Sequence, residues 1–134
     1  MSRKLHSILA LISAATLLVS SSSCGFNQHL VSIQVTPNPV VFEGVGAQVQ
    51  FTALGTYIHP PETKDITTQV QWRIDISYLA TINSSGVAVA TGVCGAGNVI
   101  ATVYNDPSHP SNGSVVVGTA AISGIGQGTP TCQP

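Results

Sequence analysis

The chain has 134 residues, 7% of them charged and 43% hydrophobic, enough for one ordinary domain. After Cys24 it carries two basic side chains, Lys64 and Arg73, against five acidic ones, Glu43, Glu62, Asp65, Asp75 and Asp106. There is no basic stripe, which excludes a nucleic-acid partner and a polybasic membrane-binding surface. Val, Thr, Ile, Ser and Gly prevail, and these suit pleated strands and tight turns better than helices.

Residues 1–23 read as a targeting signal. Arg3 and Lys4 start it, "ILALISAATLLV" (Ile8–Val19) is its apolar core, and small residues follow at Ser20–Gly25. A spanning helix wants about 20 apolar residues, so this run suits export rather than an ordinary transmembrane anchor. Cys24, directly after Ser22 and Ser23, resembles the acylated cysteine of the bacterial lipoprotein signal, although Ser21 stands where that pattern prefers Leu. Two fates stay open. Cys24 becomes a lipidated N-terminus, or cleavage falls among the serines as in an ordinary secretory signal. The first places the protein on a bacterial membrane, at its periplasmic or cell-surface face; the second releases it as a secreted protein.

A polar lead-in is expected over residues 24–30, the domain over 31–123, and a C-terminal tail over 124–134, loose unless Cys132 tethers it. "VSIQVTP" (Val31–Pro37) alternates, with Val31, Ile33 and Val35 on one face. Pro37 and Pro39 stop it, since proline cannot donate to a ladder. Val40–Gly46 reads as a short edge strand with a glycine turn, and Ala47–Tyr57 alternates again, with Val49, Phe51 and Ala53 inward. The proline-rich, polar Ile58–Thr68 is expected to be a loop. Val70–Asp75 resumes the period of two, with Val70, Trp72 and Ile74 inward. "LATIN" and "GVAVAT" read as two short strands joined at Ser84–Gly86, Asn98–Asn105 as another, and Val115–Ser123 as the last.

Seven or eight short alternating strands without a helical period indicate an all-β sandwich. The single tryptophan, Trp72, is expected in its core with Phe51, Val70, Ile82 and Ala101. The residues around it carry a resemblance. Val70 and Trp72, then Leu79–Ile82, then Ser84, Ser85 and Gly86 fall in the register V-x-W, V-A-T-V and S-S-G. Upstream, "VSIQVTP" and "QFTA" match an opening strand and turn; downstream, Gly97, Val99, Ala101 and Val103 match a later strand. In these residues the chain resembles the bacterial immunoglobulin-like domains of group 2, the intimin/invasin type, over about Val31 to Tyr104. "RIDI" (Arg73–Ile76) and the insertion around Cys94 depart from that pattern. The resemblance implies an immunoglobulin-like sandwich serving adhesion, spacing or partner binding at the cell surface, without catalysis.

In an oxidising compartment Cys94 and Cys132 are expected to pair once Cys24 is lipidated. Neither thiol has the spacing of a zinc site, and no metal or cofactor is expected. His59, Glu62 and Asp65 share one loop but their spacing fixes no coordination geometry. No nucleophile elbow, phosphate loop or paired carboxylates occur, so no catalytic residue is assigned. As an alternative, Tyr57 and Tyr78 near strand ends could form the aromatic platform of a carbohydrate-binding module. The expected partner is a protein or glycan at the cell surface, with a membrane reached through the lipid on Cys24. A monomer is expected, with pairing through an exposed strand edge as its rival.

Overall fold

A computed structural model describes residues 28–105 and 114–126. These form strands and turns only. The strands are β1 (His29–Thr36), β2 (Val40–Glu43), β3 (Gln48–Gln50), β4 (Thr52–Ile58), β5 (Glu62–Asp65), β6 (Gln71–Ile74), β7 (Ala80–Ile82), β8 (Val87–Ala90), β9 (Gly95–Tyr104) and β10 (Val115–Ile125). No helix among the described residues is long and apolar enough to cross a membrane.

The fold is an all-β sandwich. One layer has the order β2-β10-β9-β6. The other joins β1-β4-β5 to β3-β8-β7, because β3 and β4 are one extended run interrupted only at Phe51. At that interruption the Phe51 N–H donates to the Gly86 carbonyl at 2.8 Å, so the two parts stay laced together. The chain starts in one layer as β1, crosses at Pro37–Pro39 and continues in the other as β2. Asn38 marks the crossing, its side-chain oxygen accepting the Ala121 N–H at 2.9 Å.

Between the layers lie Val35, Phe42, Phe51, Ala53, Ile66, Leu79, Ala88, Val99, Ala101, Ala120 and Ile122, all buried. Phe42 on β2 and Ala120 and Ile122 on β10 alternate with exposed residues, as the period of two requires, whereas Val99, Ile100 and Ala101 on β9 are buried in succession.

The described residues form ten strands in place of the seven or eight expected, and the differences have local causes. β1 pairs with β4 through a bulge between Leu30 and Ser32. The extra residue turns Val31 outward and Leu30 inward, so the inward face is Leu30, Ile33 and Val35, not Val31. Ile58–Thr68 is not all loop. It holds β5, whose Glu62–Asp65 pair with Tyr57–Leu54. A polar edge strand exposed on both faces has no apolar alternation to reveal it. β9 begins at Gly95 rather than Asn98 and β10 runs on to Ile125 rather than Ser123, with Gly95 opposite Gly124. Glycine weakens the strand pattern at those ends, so sequence alone stops short.

Ile33 packs against Gly118, and β2 runs parallel to the end of β10 in the register Val40↔Ile122 to Glu43↔Ile125. The first strands therefore run in the same direction as the last. The described chain enters at Gln28 at one pole of the sandwich and leaves at Gly126 at the other.

Candidate functional site

Of the residues expected in the core, Phe51, Val70 and Ala101 are buried. Ile82 is half-buried and packs against the core from its margin. Trp72 is also half-buried rather than enclosed. It lies on β6 opposite Ala101, and its indole N–H donates to the Thr67 carbonyl at 2.8 Å. The polar edge of an indole needs such a partner, which holds the ring at the rim of the sandwich. The largest enclosed side chains are instead Phe42, Phe51, Ile66, Leu79 and Val99.

Thr67 ties that rim together. Its backbone N–H donates to Asp65 Oδ1 at 2.8 Å, and its hydroxyl oxygen accepts the Ala53 N–H at 3.0 Å. With the indole bond, one residue joins the end of β5, β4 in one layer and β6 in the other. Hydrogen bonds to Thr67 lower the Asp65 pKa below the ordinary carboxylate value.

Polar side chains converge at two further places. At the entry pole, Gln28 Nε2 donates to Glu62 Oε2 at 2.8 Å and Lys64 Nζ donates to Gln28 Oε1 at 2.7 Å. Lys64 also pairs with Glu62 at 3.0 Å and lies 5.4 Å from the centre of the Tyr57 ring. The Gln28 bond, then Lys64, lowers the Glu62 pKa. On the four-stranded layer, Asp75 Oδ1 accepts the Asn98 N–H at 2.7 Å and Oδ2 accepts Asn98 Nδ2 at 2.8 Å. These bonds from Asn98 hold the Asp75 pKa low. Each carboxylate is thus stabilised in its charged form, which suits structure and not proton transfer at neutral pH. Among the described residues no three His, Cys, Asp or Glu side chains gather as metal ligands.

The structure does not bring Tyr57 and Tyr78 together. Tyr57 is half-buried, pairs with Leu30 at the start of β1 and so belongs to the entry pole. Tyr78 is exposed beside Gly95, at the exit pole. Two aromatics at opposite poles cannot form one sugar platform.

The exit pole carries a feature the sequence reading missed. The loops between β2 and β3, β6 and β7, and β8 and β9 meet there. They expose Val45 (62%), Tyr78 (60%) and Val93 (45%). Val45 lies against Gly92, and the Val93 backbone lies against Gly124. No alternation marks loop valines as a group, so only the fold reveals them. Cys94 sits in the same place, disulfide-bonded, with its Sγ accepting the Gly126 N–H at 3.1 Å. Cys24 and Cys132 lie outside the described residues.

No family model matches the chain. It is 34% identical, over 88 residues, to Ice-binding protein 1 of Shewanella frigidimarina. That match takes in 66% of this chain and 10% of the relative. The chain spans about a tenth of that relative's length.

Proposed function

We propose that the protein is an exported, non-catalytic immunoglobulin-like module that holds its two ends apart, with Cys24 as its lipid anchor. The observation that carries this reading is the placement of entry and exit at opposite poles, fixed by β2 running parallel to β10. A chain built this way adds length between whatever precedes Gln28 and whatever meets the exit pole. The crossing of the first strand between layers supports the immunoglobulin-like assignment, as do the V-x-W and S-S-G registers on β6–β8. Glu62, Asp65 and Asp75 are committed to Gln28, Thr67 and Asn98 respectively, which supports a role without proton-transfer chemistry at these groups.

The relative is named for binding ice. The match takes in a tenth of it, so we assign this chain a supporting part rather than the ice-contacting one. Adhesion or binding of a surface partner fits the exposed loops of the exit pole. The carbohydrate-binding alternative loses its support with the separation of Tyr57 from Tyr78.

Intact-mass analysis of protein recovered from its own membranes tests the anchor. A diacylglyceryl-sized addition on a chain starting at Cys24 is expected, and an unmodified chain starting among the serines overturns it. Inhibition of ice recrystallisation by the purified chain tests the division of labour. No inhibition is expected, and activity at a concentration matching ice-binding proteins would move the chain to the ice-contacting part.

A further inference from the structure

We infer that the outer face of the layer β2-β10-β9-β6 docks a second copy of this chain, the two faces packed with their strands antiparallel about a twofold axis level with Ile74. The register lays that face out row by row, because directly opposed residues of an antiparallel pair share one side of the sheet. Ala120 and Ile122 of β10 face the core, so Val115, Val117, Thr119, Ala121 and Ser123 face outward. Large side chains fill the half nearer the entry pole, where Val117 stands beside Val115 and its neighbour Tyr104. Small ones fill the half nearer the exit pole, where Ala121 stands beside Ser123 and its neighbour Ala96. Val115 and Val117 are 45% and 51% exposed, so the large half is open to a partner.

Between the halves runs the row of Ile74, Val99 and Ala120. An axis laid across the strands there sets Val117 of one copy over Ser123 of the other, and each large half over a small one. A patch that meets itself about a twofold axis must complement itself in this way. Charge obeys the same axis. Arg73 and Asp75 stand one residue to either side of Ile74, both exposed. Arg73 makes no ion pair among the described residues, and Asp75 is held at this face by the Asn98 side chain. The axis brings each Arg73 over the other copy's Asp75, so one operation makes two ion pairs. Parallel faces would instead lay β6 over β2, whose Glu43 is level with Ile125, six residues along β10 from the Thr119 row of Arg73. At about 3.3 Å by 4.8 Å per residue the four strands cover roughly 450 Å² a side, about 900 Å² in all. That is less than a stable dimer needs and suits weak, reversible pairing. The two entry poles lie at opposite ends of such a pair, so tethered copies pair across a gap and not side by side. The inference goes beyond the spacing role and stands whether or not Cys24 carries a lipid.

Sedimentation equilibrium of the full chain, its free thiols alkylated, is the test, run from about 10 µM to about 1 mM to cover pairing of this strength. The mass is expected to rise from one chain towards two. Arg73→Asp lays acid on acid across the axis and Asp75→Arg lays cation on cation, so each variant alone should pair at least about tenfold more weakly. Mixed in equal amounts the two variants restore both ion pairs, and the mass should rise again; only the antiparallel register gives that rescue. Val117→Lys lies away from the seam of Asp75 with Asn98 and should also weaken pairing about tenfold, which keeps the test decisive if Asp75→Arg fails to fold. A parent chain that stays monomeric to about 1 mM overturns the inference. So does pairing that the substitutions leave unchanged, or a mixture of the two folded charge variants that stays monomeric.

Discussion

Thr67 is a single small side chain on which three elements depend. Its hydroxyl accepts from Ala53, its carbonyl from Trp72, and its own N–H is taken by Asp65. Thr67→Val keeps the shape but leaves the Ala53 N–H without its acceptor. A buried donor so orphaned costs about 1–3 kcal/mol, which urea unfolding should read as a lower midpoint at unchanged slope. Trp72→Phe removes the other bond and should cost a similar amount; the two changes together should cost less than their sum, because they share one residue. Glycine matters most where backbone approaches backbone. A Cβ on Gly118 would sit 2.5 Å from the Ile33 carbonyl oxygen, across the gap between β10 and β1. Backbone cannot yield as a flexible side chain does. Gly118→Ala should therefore destabilise by about 1–3 kcal/mol, measured by thermal or urea unfolding.

At the scale of elements, the seam of β6 with β9 is closed at its end by Asp75 and Asn98. The Asp75 pKa is lowered in the fold, so its contribution is complete above the unfolded value of about 3.9 and fades as pH falls through the lower folded value. Glu62 and Asp65 shift the same way. The thermal midpoint should hold from neutral pH down to about 4 and fall below it. Asp75→Asn should start lower at pH 7 and lose less on acidification, because one of the three carboxylates has been taken out. Legibility in the sequence follows the same physics. Where a strand buries one face, as at Phe51 and Ala53 or Ala120 and Ile122, the period of two announces it. Where a strand is a polar edge, as in β5, or ends on glycines, as at Gly95 and Gly124, no periodic signal exists to find. The bulge at Val31 defeats alternation outright, since one extra residue reverses every face upstream of it. Trp72 was legible as a strand residue facing its own layer's interior. Its half-exposure was not, because that depends on Thr67, five residues away across a loop. The exit-pole cluster needed the fold, since Val45, Tyr78 and Val93 come from three separate loops.

For the molecule as a whole, the direction of the first and last strands governs what lies where. Spin labels on unnatural residues at positions 28 and 126 should report a separation above about 30 Å, and a shorter one would show that entry and exit share a pole. The same parallel pairing sets how the domain meets load. β2 and β10 run side by side, bonded from Val40↔Ile122 to Glu43↔Ile125, and they belong to opposite ends of the chain. A tug on the two ends slides these strands lengthwise past one another, so every rung of that ladder must break together. Tension applied across a hairpin would instead open its rungs one at a time. The short parallel ladder therefore meets such a pull in shear, with its rungs from Val40↔Ile122 to Glu43↔Ile125 loaded at once.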